Sequence, residues 1–372
     1  METYLTINLD AIKENVIKIK ELNKNSMFCA VVKANAYGLG SVEIAQYIEN
    51  EVDYFAVAKV SEALILRKNG IKKPIIILGY VSYKDVDLCT KHKIDIPIYD
   101  IEYAKKINSN LNNKINVHIA LDTGHSRIGF RDYELDKIRE LKNLKNINVI
   151  SAFSHYASAD EEDESFMDLQ AKRYDNIINQ IKNDFNFKFL HLSNSAGALK
   201  QKTVKDMVRV GIAIYGIYPS IYLRENSNID LIQCFSLKSK VTFVKNIKKG
   251  TPISYGSTFI SPNEMKVATV AIGYADGFFR AFSNVGELRI KDKNCKVLGR
   301  VCMDQLMVDV SDLDVKIDDE VIIYPDIYKE AEKISTITYE LMTSVSMRVP
   351  RVYMKNNSVI KIVDYLGISN EN

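Results

Sequence analysis

Strong charge is the first thing this 372-residue sequence lacks: 50 Lys and Arg stand against 47 Asp and Glu, a formal net charge of +3. So mild a balance, with no basic tract, gives no footing for nucleic acid or an anionic membrane. Cysteine is scarce: there are five, an odd number, with no CxxC pair, and several sit inside apolar runs. Reduced core thiols are expected, with neither disulfides nor a metal site. No stretch approaches the roughly 18 consecutive apolar residues of a membrane span, and "METYLTINLD" carries no apolar signal core. Internal repeats and low-complexity segments are absent. What is there is a chain 47% hydrophobic, long enough for a large core. The expectation is a soluble, cytoplasmic protein of two domains, or one large barrel with an addition.

Apolar runs alternate with amphipathic ones through the first part of the chain. Strands are expected at Phe28–Ala34, Tyr54–Ala58, Pro74–Leu78, Ile94–Ile98, Asn116–Leu121, Val149–His155, Phe189–Leu192 and Met207–Ile212. Each is rich in Val, Ile or Phe and ends in turn or polar residues. Among the intervening helices, "DLQAKRYDNIINQIKNDF" reads with Leu169, Tyr174, Ile177, Ile178 and Ile181 on one face. Eight such units over residues 1–230 form the pattern of a (β/α)8 barrel, a doubly wound sheet being the alternative. Over residues 231–372 the runs become short and turn-punctuated, which reads as a mainly-β domain with a short helix near Thr336–Thr343.

Barrel enzymes place reactive groups at the carboxyl ends of strands. Those ends carry Lys33, Asp122 with Arg127, His155, Asn194 with Ser195, and Arg209 followed by Gly211. A lysine desolvated among small and apolar neighbours loses preference for its ammonium form, which suits Schiff-base chemistry. The glycines of "GLG" let backbone approach a ligand, and the Tyr37 hydroxyl lies within reach of an anionic group.

At this point the motifs resemble one family. "AVVKANAYGLG" (Ala30–Gly40), "DTGHSRIGF" (Asp122–Phe130), "SHYASAD" (Ser154–Asp160), "LSNSAGAL" (Leu192–Leu199) and "VRVGIAIYG" (Val208–Gly216) are similar to those of the alanine racemases. So are "SYGSTF" (Ser254–Phe259), "AIGYADGF" (Ala271–Phe278), "GRVCMDQLMVDV" (Gly299–Val310) and "RVPR" (Arg348–Arg351), in the same order. The resemblance implies a homodimeric pyridoxal-phosphate isomerase supplying D-alanine for cell-wall synthesis. Lys33 would hold pyridoxal 5'-phosphate as a Schiff base and act as one catalytic base. Tyr255, from the neighbouring subunit, would be the other, because racemisation needs a base on each face of Cα. A tyrosine ordinarily titrates near 10, and His155 would assist it through hydrogen bonds. Arg209 would face the pyridine nitrogen and weaken the ring as an electron sink. Tyr37, Asn194, Ser195, Gly211 and Ile212 would bind the cofactor. Arg127 would meet the cofactor's phenolic oxygen and the substrate carboxylate, with Met303, Asp304 and Tyr274 at the substrate.

Two positions depart from the family pattern. Where many members carry a lysine, carbamylated in some, stands Ala120, so no carbamate orients Arg127. Where a tyrosine usually precedes "RVPR" stands Met347, which lacks the hydroxyl and reshapes the wall beside the substrate. A serine or broader-specificity racemase is therefore an alternative to an alanine enzyme. A decarboxylase on the same two-domain plan, and a non-catalytic cofactor-binding protein, are the further rivals.

Overall fold

The computed structural model describes residues 1–367 and divides into two compact units. One comprises Ala11–Ala36 and Gly40–Gln233; the other comprises Met1–Asp10, Tyr37–Leu39 and the chain from Cys234 onward. The first ten residues thus part from the barrel with which a boundary near residue 230 had grouped them. The reason lies in β1 (Tyr4–Asn8), which alternates and buries Leu5 and Ile7 completely. A five-residue alternation at a chain start is too short to reveal its partners in sequence.

In the larger unit, β2 (Met27–Val31), β3 (Tyr54–Val57), β4 (Ile75–Ile77), β5 (Ile94–Ile98), β6 (Ile115–Ala120), β7 (Ile147–Phe153), β8 (Phe189–His191) and β9 (Met207–Val210) form a closed parallel barrel. β9 returns to β2 with Cys29 opposite Arg209. The closed barrel, with helices between most successive strands, replaces the open-sheet alternative. The strands are buried on both faces, which is why they read as continuous apolar runs. Helix Ser165–Ile181 buries Met167, Ala171, Tyr174, Ile177, Ile178 and Ile181. Leu169 is exposed instead of sharing that face, because five residues from Tyr174 is about 140° around a helix.

The smaller unit is built on a nine-stranded sheet whose longest member is β10 (Phe235–Ile247). β1 runs antiparallel to β10, pairing Tyr4 with Lys238, and parallel to Arg351–Lys355, pairing Leu5 with Arg351. The expected short helix is Thr338–Thr343, preceded by a second, unforeseen one at Ile327–Lys333.

Candidate active site

The barrel strands bring Lys33, Arg127, His155 and Arg209 to one cavity of about 370 Å3, together with Asp122 and His125. Lys33 is half-buried and its Nζ has no hydrogen bond or ion pair among the described residues. Burial first, then the positive charges of Arg127 and Arg209, hold its pKa below the ordinary lysine value. Arg127 is exposed on the loop after β6, and its donors are likewise unengaged among the described residues. That loop is pinned by a bridge between Leu121 and Phe130, and Asp122 accepts hydrogen bonds from the Gly124 and Ser126 N–H groups, both at 3.0 Å.

Arg209 lies within β9 and is 3% exposed. Its terminal nitrogens donate to His191 Nδ1 at 2.8 Å and to the Ser154 and Leu192 carbonyls at 2.7 and 3.1 Å. A longer contact of 3.3 Å reaches His155 Nδ1. The Nε–H is not engaged among the described residues. Burial lowers the Arg209 pKa to about 10, which leaves it charged at neutral pH. His155 is held well below the usual histidine value by burial and then by Arg209, so its imidazole is neutral there. With Nδ1 accepting from Arg209, the His155 proton sits on Nε2.

Lys33 does not end a strand, as its apolar approach suggested. β2 stops at Val31, and Ala34, Asn35, Ala36 and Tyr37 then turn in the left-handed region, with φ of 52, 53, 53 and 55°. Each such non-glycine residue costs about 1–2 kcal/mol, and a run of them persists only where surroundings enforce it. Here Ala34 N–H donates to Glu62 Oε1 at 2.6 Å, and the Asn35 side chain accepts from Ser41 N–H at 2.9 Å. The smallness of Ala34 and Ala36 answers to this turn.

Of the expected cofactor contacts, Ser195 Oγ accepts from the Gly211 N–H at 2.9 Å, beside the turn that Ile212 opens. The Ser195 hydroxyl hydrogen has no acceptor among the described residues. The Asn194 carboxamide caps helix Ser195–Lys200, accepting from Gly197 N–H at 3.1 Å. Tyr37 groups with the smaller unit, where its ring lies 6.0 Å from that of Tyr339.

The remaining expected residues form a second group, on the surface of the smaller unit. Tyr255, Met347, Met303 and Tyr274 are exposed by 68, 60, 52 and 43%. Their loops are tied together. Ser254 Oγ donates to the Arg300 carbonyl, Tyr274 and Ala275 N–H donate to the Cys302 and Met303 carbonyls, and Arg348 bridges Asp276 and Asp304 at 3.0 and 2.9 Å.

His125 escaped the sequence reading. It lines the cavity, its ring centroid is 5.6 Å from that of His155, and its buried Nδ1 has no partner among the described residues. The signal lay in "DTGHSRIGF", where only the arginine and aspartate had drawn notice.

A closed parallel barrel that gathers a desolvated lysine and two arginines at one cavity, followed by a mainly-β unit, is the plan of a barrel enzyme. The family described as alanine racemase, N-terminal domain, matches residues 7–219, and alanine racemase, C-terminal domain, matches residues 234–353. The chain is 39% identical over 376 residues to the alanine racemase of Clostridium perfringens (strain SM101 / Type A), covering 97% of each. It is 37% identical over 384 residues to alanine racemase 2 of Caldanaerobacter subterraneus, covering 98% of each. The solved alanine racemase of Clostridium difficile 630 superposes with a TM-score of 0.93 at 38% identity, covering 98% of this chain and 99% of that one. The chain belongs to the alanine racemase family.

Proposed function

We propose that this protein interconverts L- and D-alanine, using pyridoxal phosphate held on Lys33, and works as a dimer whose two sites each draw on both copies. The observation that carries the reading is an amine biased toward its neutral form in the same cavity as two unpaired guanidinium donors. Among the described residues the Nε–H of Arg209 and the donors of Arg127 are unengaged, and Lys33 Nζ makes no ion pair, Glu62 acting on it only through longer-range charge. These residues, the Ser195 hydroxyl and the unpartnered His125 Nδ1 fit an anionic aldehyde with a pyridine ring. When bound, that group acts as an electron sink that acidifies the Cα–H of the amino acid. The full-length relatives favour alanine over the serine or broader reading, and over a decarboxylase or a non-catalytic binder.

The chain's residues supply the rest. Lys33 Nζ takes or returns a proton on one face of Cα, and Tyr255 Oη of a second copy serves the other. The Nε2–H of His155 is the donor suited to a tyrosine that has given up its proton. Arg209, always a donor, would hold a pyridine nitrogen through its Nε–H, a partner that offers that nitrogen a hydrogen bond and no acceptor for a proton of its own. Arg127 binds the substrate carboxylate through its fork of donors. The exposed aromatic and methionine side chains around Tyr255, rimmed by Arg348 and Asp304, support a face that a second copy covers.

Complementation tests the reading directly. Lys33→Ala and Tyr255→Phe proteins, each loaded with pyridoxal phosphate, are assayed for D-alanine by chiral chromatography, alone and after mixing under conditions that exchange subunits. Each alone is expected to be inactive, whereas the mixture recovers about one quarter of wild-type sites, since half the dimers carry one intact site. No recovery despite demonstrated exchange places both bases in one chain and refutes the shared site. A wild-type protein that makes no D-alanine refutes the activity.

A further inference from the structure

Apolar branched side chains normally fill a barrel of this kind. This one carries a file of buried polar groups from five different strands. Arg209 of β9 donates to His191 Nδ1 of β8 at 2.8 Å. His191 Nε2 lies 3.0 Å from His118 Nδ1 of β6, and His118 Nε2 lies 3.4 Å from Asp95 Oδ2 of β5. Tyr54 of β3 donates its hydroxyl to the same carboxylate oxygen at 2.9 Å. Both histidines are 0% exposed and Asp95 is 5% exposed.

The direction of every bond in this file follows from one fact. A guanidinium has donors only, so His191 Nδ1 must be bare. A neutral His191 then carries its proton on Nε2 and donates to His118 Nδ1. His118 is forced into the same tautomer, and its Nε2–H points to Asp95. An imidazolium at either position would set two N–H groups against each other. Every link therefore donates toward Asp95, and so does Tyr54, from the other side.

The Arg209 end of the file holds no acid. No carboxylate touches Arg209 among the described residues; its contacts are carbonyls, imidazoles and, 5.5 Å away, the face of Phe153. Cys29, opposite it in the neighbouring strand, is held as a neutral thiol, its pKa pushed up to about 12 by burial. Asp95, at the far end, lines a separate cleft that it shares with Arg67.

We propose that Asp95 is a positioning residue for racemisation: as the terminal acceptor of the file it anchors His118 and, through His191, holds the Arg209 guanidinium in place. The inference rests on the function proposed above. Asp95 is not among the residues lining the catalytic cavity, so its effect is expected on turnover, with substrate binding little changed.

The test is imidazole nitrogen NMR on the 15N-histidine-labelled holoenzyme, practical because the chain has only five histidines. In the wild type, His118 and His191 are expected with Nε2 protonated and Nδ1 bare; a proton on Nδ1 of either overturns the proposal without any variant. Asp95→Leu removes the terminal acceptor, so His118 is expected to keep its tautomer while its Nε2 resonance moves as the Nε2–H loses its hydrogen bond. Its kcat should fall about 10-fold, the low end of the loss when the carboxylate behind a working imidazole is removed, with KM within about 2-fold. Asp95→Asn retains an acceptor without the charge and should keep the Nε2 resonance nearer its wild-type position with an intermediate kcat. An unmoved Nε2 resonance and a kcat within about 2-fold in Asp95→Leu refute the proposal. A wild-type enzyme with the expected tautomers but no racemisation refutes the proposed function instead.

Discussion

Arg351, the last residue of "RVPR", gives the severest test of how the β unit is held. It is 1% exposed and its guanidinium makes five hydrogen bonds, all to backbone carbonyls. Nε and one terminal nitrogen share the Gly38 carbonyl at 3.0 and 2.9 Å, and the others reach Val345, Ser346 and Val349 at 2.8, 2.6 and 2.5 Å. Gly38 itself must be glycine: its φ is +89°, and a Cβ would sit 2.6 Å from the Met342 carbonyl oxygen. Arg351→Met leaves the Gly38, Val345 and Val349 carbonyls unpaired, while the Ser346 carbonyl keeps the Val349 N–H at 3.1 Å. At about 1.5 kcal/mol each the loss is roughly 4.5 kcal/mol. Relief of burying a cation returns part of it, leaving a net cost of about 2–3 kcal/mol. For a unit of this size that lowers the melting temperature by about 7 °C. Arg351→Lys keeps the charge without the planar fork and should recover less than half the difference. Because the tethered segment carries Met347 and Arg348, KM for alanine should rise in both variants. Differential scanning calorimetry of the holoenzymes with steady-state racemisation reads both effects. A melt within about 2 °C of wild type for Arg351→Met would refute the reasoning, since it would mean those carbonyls find other donors at no cost.

Lys33→Met should abolish racemisation yet stabilise the cofactor-free protein by about 1 kcal/mol at pH 7, because it removes a half-buried amine whose charge is disfavoured by burial and by Arg127 and Arg209. The folded pKa of Lys33 lies below its unfolded value, so the unfolded chain binds more protons between the two. Wild-type stability should therefore rise with pH across that window, and the variant should lack this rise in melts from pH 7 to 10. His155 is also depressed, so stability should fall as pH drops from about 6.5, where only the unfolded chain gains the proton; His155→Gln should flatten that slope without erasing it, because His191 contributes similarly. The same shift means that racemisation should show no acid limb near pH 6.5 arising from His155. Ala34→Gly frees an exposed residue from φ 52° and should stabilise the fold by about 0.5 kcal/mol after the unfolded-state entropy of glycine is counted; a lower melting temperature would show that the turn is not strained.

How much of this was legible in the sequence divides along a physical line. The eight barrel strands were readable because a strand buried on both faces must be apolar throughout, and such runs show in one dimension. The end of the first one was not. "VVKANAY" gives no sign of a left-handed turn, because alanine is a poor marker for positive φ and the turn is enforced by Glu62 and Ser41 from outside it. The motif residues at the barrel mouth were found, but Tyr255 and Met303 acquired meaning only from the resemblance; as a tyrosine and a methionine in short β-rich loops they look like packing. The relay shows the opposite failure. Asp95 in "IDIPI", His118 in "INVHIA" and His191 in "FLH" are each a polar group inside an otherwise apolar strand, which is costly unless satisfied. Each was a visible anomaly, passed over because its partner lies on another strand, 23 residues away for Asp95 and His118 and 73 for His118 and His191. Only closure of the barrel brings the anomalies together, and only together do their tautomers have a single solution.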